Sequence, residues 1–448
     1  MAVRKLTCAF IVIVALLALT ACDGLSLFRN QKSQQLTLKV LYPSASGFER
    51  TWGASIREAL PHVTFQVIAE SPNGDRELET LIREEKPDLI YMGSAARYNE
   101  LAELGALAPL DSWITLEQSL LNELYQPAIE HLELQQRQLF GLPVQFDAKL
   151  LFFNKTLFDA YQVPHPYVGI SWHEAMALAD RFAGQQYNSN IVYGLEDYDW
   201  DESPYNPFLL VERIALSRGM YFFDSNGRSA IHTKEWSELL GQAADAFARG
   251  SFFMPERSDL LYDGQKVVNH YVKDKPFLAG RTAMALHGVS MFGFLFDLDH
   301  YEGLEAEGLD WGVVPAPVDP GNSGATTNVV PVHIFGIHSD SPLQDEAWEV
   351  IRFLTGEAFA EAASDLGRFD SKYGERLPIR PQYIRMDDIP LTSFTRQSLD
   401  MTGISLYRTV DPDKLEQFRL AAGERLREVI RGSITAEEAL EGLQHWSL

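Results

Sequence analysis

Three short apolar stretches alternating with helical ones open the body of this 448-residue chain, and that order limits the fold more than any other feature. Leu36 to Tyr42 (LTLKVLY) alternates and is rich in β-formers, the pattern of a strand. Pro43 to Gly47 ends it in a loop, and Trp52 to Leu60 can then form a helix. His62 to Ala69 (HVTFQVIA) alternates again. Asp75 is placed to cap a helix that runs through Glu85, with Leu78, Leu81 and Ile82 on one face. Lys86-Pro87-Asp88 leads into a third strand, Leu89 to Met92, which Gly93 ends. A βαβαβ order predicts a largely parallel sheet with crossover helices. Ligands on such sheets bind beyond the carboxyl ends of the strands. That singles out the loops Pro43 to Phe48 and Gly93 to Arg97.

A second organising stretch is Gly141 to Trp172, GLPVQFDAKLLFFNKTLFDAYQVPHPYVGISW. Gly141-Leu142-Pro143 reads as a turn. Leu150 to Phe153 is a run of four apolar residues, as in a strand buried on both faces. An Asn154-Lys155 corner and a short helix follow, until Pro164 and Pro166 break the chain. Ser171 and Glu174 are spaced as a capping box for the next helix, with Trp172 in its first turn.

The first 22 residues stand apart from this pattern. Arg4 and Lys5 form a short basic region, and Ala9 to Leu19 is an apolar run of 11 residues, too short for a permanent membrane span. Leu19-Thr20-Ala21-Cys22 then resembles a bacterial lipobox, in which Cys22 is acylated on sulfur and becomes the new N-terminus. Cys8 and Cys22 are the chain's two cysteines, and Cys8 would leave with the leader. A mature chain with Cys22 alone has no disulfide and no cysteine-ligated metal site, and lipidation accounts for the one that stays. Two or more acyl chains on one residue anchor stably, where one is marginal. Residues 23–35 (DGLSLFRNQKSQQ) have no helical or strand period and read as a tether.

About 413 residues remain from Leu36 on, more than one ordinary core, so two lobes are expected. Hydrophobic residues make up 46% and mean hydropathy is −0.14, as for a globular chain with no second run long enough to span a bilayer. The formal charge is −24, and loss of Arg4 and Lys5 takes it to about −26. That balance argues against nucleic acid or anionic lipid as a partner through general electrostatics.

Catalytic and metal motifs are mostly absent. His173-Glu174 has Ala177 where a zinc protease needs its second histidine. Gly288-Val289-Ser290-Met291-Phe292 lacks the last glycine of a nucleophile elbow. There is no phosphate-cradling Gly-x-x-x-x-Gly-Lys-Ser/Thr. Asp197, Asp199 and Asp201 alternate as at the start of a calcium loop, but Glu202 stands where the turn needs glycine and Phe208 where it needs glutamate. The cluster Glu196 to Glu202 is thus either a solvated acidic loop or a ligand contact, its carboxylates accepting sugar hydroxyls and its aromatic faces covering a ring. A carboxylate pair could also serve a glycosidase. No cofactor and no metal are expected.

The ordered parts resemble family 1 extracellular solute-binding proteins, the receptor lipoproteins of ABC importers. The similarity rests first on Gly141 and Pro143, Phe153-Asn154-Lys155, Leu157-Phe158, Pro164, and Ser171-Trp172 with Glu174. Pro87-Asp88 with its strand, then Leu101 and Leu104-Gly105-Ala106-Leu107-Ala108-Pro109-Leu110, is a second signature. Ala215 to Phe223 with Asp224, Asn226-Gly227 and Ile231 follows in order. So do Phe277, Gly280-Arg281 and Ala283-Met284; Trp311-Gly312 to Pro317; Glu346-Ala347-Trp348; and Ser433 to Gln444, with Thr435 and Glu438 as a capping box. Each piece is short, and the set covers about 36 to 448.

The resemblance implies a two-lobe α/β fold of the type II periplasmic-binding-protein kind, with a ligand cleft between lobes. After a signal peptide (1–22) and tether (23–35), lobe one is expected at 36–144 plus 318–358 and lobe two at 148–316 plus 359–448. It implies a monomeric, lipid-anchored, non-enzymatic receptor outside the cytoplasmic membrane, whose partners are ABC permease subunits and a small molecule, most of all a sugar or oligosaccharide. Asp147 stands where maltodextrin-type members reach the ligand with an acidic residue. Met92, Gly93 and Arg97, with Tyr91 nearby, occupy the loop after the third strand. Tyr198 and Trp200 match the second-lobe aromatic cluster. Ser290 stands where the family usually has a stacking tryptophan, a departure that weakens a sugar assignment without moving the fold. Trp52, Trp113, Trp172, Trp236, Trp311 and Trp348 are assigned to the core. The competing readings are an exported carbohydrate-active enzyme and a lipoprotein that has lost transport.

Overall fold

The computed structural model describes residues 35–70, 78–133, 137–197, 206–254, 275–296, 309–322, 325–326, 328–363, 376–384, 398–408 and 410–446. Cys22, the Asp75 cap, Tyr198 and Trp200 lie outside the described residues. Two compact units divide the chain, one ending at Pro87 and the other beginning at Asp88.

In the first unit, β1 (Leu36–Tyr42) and β2 (Val63–Ala69) form a parallel pair in the register Leu36 to Val63. Between them the chain is helical over Ala45–Phe48, π-helical over Glu49–Gly53 and α-helical again over Ala54–Ala59. The helix therefore starts earlier than Trp52. Ser44 causes this, because its Oγ accepts the Gly47 N–H at 3.1 Å and caps the first turn. Phe48 then packs edge-on against Tyr42 and Phe65, with ring centroids at 5.5 and 5.0 Å. Trp52 is fully buried and donates its Nε1–H to the Tyr42 hydroxyl at 3.1 Å. Helix α1 (Leu78–Glu85) buries Leu81 and Ile82.

The principal strands of the second unit are β3 (Leu89–Met92), β4 (Gly141–Ala148), β5 (Leu150–Asn154), β6 (Tyr193–Asp197), β7 (Thr282–His287), β8 (Trp311–Pro315), β9 (Val329–Ile337) and β10 (Leu377–Pro378). Four of them lie side by side in the order β10-β4-β9-β3, and the other four in the order β8-β5-β7-β6. Every pairing in the first group is antiparallel, and in the second only β6 with β7 is parallel. The expectation of a largely parallel sheet thus holds for β1 and β2 and fails in this unit. Its strands are brought together from distant parts of the chain rather than by successive crossover helices.

Gly141-Leu142-Pro143 is the start of β4, not a turn. Glycine is needed there for close strand approach, since a Cβ at Gly141 would meet the Phe335 carbonyl at 2.9 Å. All five residues of β5 are buried, as the apolar run requires. Asn154 ends β5 and caps α4, its Oδ1 accepting the Leu157 N–H at 3.1 Å.

Seven helices carry the argument that follows: α2 (Ala95–Glu103), α3 (Gln126–Leu132), α4 (Lys155–Ala160), α5 (Trp172–Asp180), α6 (Phe208–Ser217), α7 (Lys234–Arg249) and α8 (Met401–Arg408). Two more close the chain, α9 (Pro412–Ile430) and α10 (Ala436–Glu441). The capping boxes read at Ser171/Glu174 and Thr435/Glu438 are both formed, at the starts of α5 and α10. Tyr167 adds a hydrogen bond to Glu174 at 2.6 Å.

One hydrophobic core lies on the β8-β5-β7-β6 sheet. Phe222 is its centre, with Trp236 at 5.4 Å and Phe418 at 5.1 Å, which binds α7 and α9 to the segment after α6. On the other sheet Phe146 of β4 stacks on Tyr125 at 4.2 Å. Trp52, Trp172, Trp236 and Trp348 are buried as assigned, whereas Trp113 and Trp311 are half-buried.

Gly194 of β6 gives a test of how tightly these layers close. A Cβ there would lie 2.2 Å from the Ala179 carbonyl oxygen at the end of α5 and 2.5 Å from that of Ser251. Both obstacles are backbone and cannot swing away. Gly194→Ala should lower stability by about 1–3 kcal/mol or more, read as a lower urea midpoint; an unchanged midpoint would mean α5 and β6 are less closely apposed than this.

Candidate ligand-binding cavity

Helix α2 leaves the end of β3 with Ser94 as its N-cap, the Oγ accepting the Arg97 N–H at 3.3 Å. It forms one wall of a cavity of about 800 Å³, to which it brings Arg97, Asn99, Glu100 and Glu103. His131 of α3 stands beside them. The facing walls belong to the other sheet's helices: Leu209, Glu212, Arg213 and Leu216 of α6, Gly403, Ile404 and Tyr407 of α8, and Leu415 and Arg419 of α9. This volume is in the range of small-molecule sites.

Two guanidinium–carboxylate pairs build the α6 wall. Arg419 donates to both oxygens of Glu212, Nε to Oε2 at 2.8 Å and Nη2 to Oε1 at 2.7 Å. Glu212 is nearly inaccessible, so the pair must be well formed to offset its desolvation. Arg213 donates from Nε to Asp197 Oδ2 at 2.8 Å, at the end of β6. Asn206 fixes the same corner, donating to the Arg419 carbonyl at 2.8 Å and accepting the Phe208 N–H at 3.0 Å. Helix α8 is held at its start by Asp400, which takes the Gly403 N–H at 3.1 Å and the Tyr221 hydroxyl at 2.9 Å. Burial first, and Asp400 second, push the Tyr221 hydroxyl up to about 12.

Of the residues singled out from the sequence, Arg97 lines this cavity and the other described ones do not. Met92 is wholly buried in β3, where its methyl lies against the Cα side of Gly141 and Gly336. Gly93 is exposed in the turn before α2. Asp147 and Ser290 are brought close to one another. Asp147 Oδ1 accepts N–H bonds from Ala148 at 2.8 Å and Val289 at 3.2 Å, and Oδ2 meets Arg376 Nη1 at 3.2 Å. Ser290 follows Val289 in the turn after β7 and accepts the Gly293 N–H through its carbonyl. The Asp147 carboxylate is thus engaged by the chain's own donors, and burial still pushes its pKa up against Arg376 and Lys149. Glu212, Arg213, Tyr407 and Arg419 were missed. Their one signal is Glu212-Arg213, a charged pair inside the otherwise apolar run FLLVERIAL.

On β9, His333 has a left-handed backbone, φ 52°, and its Nδ1 lies 2.7 Å from the Tyr91 hydroxyl. Burial first, then Arg376, pull its pKa down to about 4. Between pH 6.5 and 4 the unfolded chain takes up a proton here that the folded chain refuses. The contribution is therefore complete above pH 6.5 and is lost as pH falls, by up to about 3 kcal/mol. His333→Asn keeps a residue suited to positive φ and should flatten the stability curve between pH 7 and 4 in urea titrations. A slope equal to wild type would remove His333 as its source. Asp147→Ala should lower ligand-free stability by about 1–3 kcal/mol, because the Val289 N–H and Arg376 lose their acceptor; unchanged melting would return Asp147 to the pool of ligand contacts.

Comparison with known proteins agrees with this architecture. A model of the family described as bacterial extracellular solute-binding protein matches residues 58–361. Among solved structures, a sugar transporter protein from Rhizobium etli in an open conformation superposes with a TM-score of 0.64 at 16% identity, over 91% of this chain and 98% of that one. The sugar-binding protein of Xanthomonas citri gives 0.61 at 18%, over 91% and 95%. An ABC substrate-binding protein from Listeria monocytogenes, in complex with cycloalternan, gives 0.56 at 17%, over 92% and 97%. The two-lobe α/β fold class expected from the sequence is the one these proteins share with this chain.

Proposed function

This chain belongs to the bacterial extracellular solute-binding protein family, and from that membership we propose that it is the lipid-anchored receptor of an ABC importer for a sugar or oligosaccharide. The observation that carries the ligand class is the cavity between α2 and helices α6, α8 and α9. Its arginines at 213 and 419 are already matched to Asp197 and Glu212, so the wall is polar without offering an unmatched ion pair there to an ionic ligand. A guanidinium carries five N–H donors, more than one carboxylate takes up, and donors of this kind suit neutral hydroxyls. Arg97 and Asn99 add donors from the opposite wall. Solved proteins of similar fold hold maltotetraose, mannotriose, D-mannitol and ribitol, which supports the same class here.

In this reading Cys22 carries the acyl chains, residues 23–35 form the tether, and the folded body faces outward as a monomer. The two lobes present the loaded cavity to permease subunits. Among the described residues no helix is long and apolar enough to cross a membrane; in this proposal the acyl chains supply the attachment.

Two measurements test the proposal. A thermal-shift screen of maltotetraose, mannotriose, D-mannitol and ribitol should find a ligand that raises the melting temperature, since binding the folded state at a hundredfold excess over Kd adds about 2.7 kcal/mol. Silence across the panel would count against the sugar assignment. Cys22→Ser should move the protein from the membrane fraction to the soluble one or leave it unprocessed; a fully cleaved variant that stays on membranes would sink the anchor.

A further inference from the structure

A second, smaller cavity of about 280 Å³ adjoins the first. Tyr407 and Val410 line both, so they form a partition between the two spaces. The far side of the small cavity is the turn Asp224 to Gly227, with Phe223 and Leu406 beside it. This turn is firmly built. Asp224 Oδ1 accepts the Asn226 N–H at 2.8 Å and the Arg228 N–H at 3.0 Å, and these bonds hold the Asp224 pKa below the usual carboxylate range. Tyr407 is fixed as well. Its ring meets Phe222 edge-on at 5.7 Å and its hydroxyl oxygen is buried, so the ring rather than the hydroxyl borders the cavities.

Tyr407 is the sole Phe, Tyr or Trp among the described residues that line the large cavity. Among the described residues, the small cavity offers the same ring, a carboxylate, a hydroxyl and an amide, and no cationic side chain. An apolar ring edge or face flanked by neutral and acidic acceptors suits the mixed surface of a sugar ring, whose C–H groups cover the aromatic while its hydroxyls donate outward. It does not suit an anion.

We propose that the two cavities are successive subsites for one ligand, an oligosaccharide that lies across Tyr407 and places a terminal sugar against the Asp224–Gly227 turn. This rests on the sugar reading above and narrows it. A single polyol or monosaccharide occupies one of the two spaces, whereas a chain of several rings reaches both. Tyr407 is then the residue that selects for length.

Calorimetric titration of the full chain with maltotetraose, mannotriose, D-mannitol and ribitol tests this, using wild type, Tyr407→Leu and Ser225→Trp. Ser225 is exposed on the turn, so a tryptophan there fills the small cavity without disturbing the core. Tyr407→Leu removes the ring and keeps apolar bulk at the partition, so that the chain still folds. The expected result is an oligosaccharide bound about tenfold or more tighter than either polyol, with that advantage lost in both variants and ligand-free melting near wild type for Ser225→Trp. If an oligosaccharide binds and both variants keep wild-type affinity, or if a polyol binds as tightly, the two-subsite assignment is overturned and the sugar reading stands. If no member of the panel binds wild type, the sugar reading fails and takes this inference with it.

Discussion

The buried carboxylate of Glu212, gripped at both oxygens by Arg419, is the contact on which the cavity depends. A glutamate on the inward face of an apolar helix is costly unless its charge is matched and its lone pairs are used. Arg419 does both, and in doing so fixes the distance between α6 and α9. Asn206 takes up the carbonyl of the same Arg419, and Gly423 leaves room for it, since a Cβ there would lie 2.1 Å from Asn206 Oδ1. Helix α9 is pinned at one turn by a charge pair and at the next by an amide fitted against a bare Cα. Removing one member of such a pair strands the other in a dry place, which is why the arrangement behaves as a unit.

A second polar group stands where the chain passes from one sheet to the other. Asp147 is near the end of β4, and Leu150 already belongs to the next sheet. Its carboxylate accepts from Val289, in the turn after β7, and meets Arg376, just before β10. One side chain therefore ties strands of both sheets at the crossing. The neighbouring peptide reinforces it, with the Lys149 N–H donating to the Asn328 carbonyl at 3.0 Å. An acidic residue at this place was legible in the sequence. That its oxygens would be taken by the chain's own donors was not, because Val289 and Arg376 are distant in sequence and nothing local announces them.

Legibility followed the range of the interaction. The strands at Leu36, Val63 and Leu89, the run Leu150 to Phe153 and both capping boxes were readable because period and capping are local. Gly141 and Pro143 misled, since glycine marks close approach of strands as well as turns, and only β9 tells which. The cavity was half readable. Arg97 follows from the rule that ligands gather beyond strand ends. Tyr407 and Arg419 come from helices that reach the site through tertiary packing, and a tyrosine or arginine on an amphipathic helix carries no mark of the surface it will meet.

The placement of β9 bears on when the protein can fold. It is inserted between β3 and β4, and the hydrogen-bonded pair Tyr91 and His333 are 242 residues apart in the chain. Until Val329 to Ile337 has been made, β3 and β4 each face an empty lane where their partner belongs. Closing so long a loop is slow compared with local helix formation. During synthesis most of the chain is therefore present while this sheet is still unfinished. For a protein of an extracellular family that delay is an asset, because a chain that cannot yet complete a sheet is still free to be threaded.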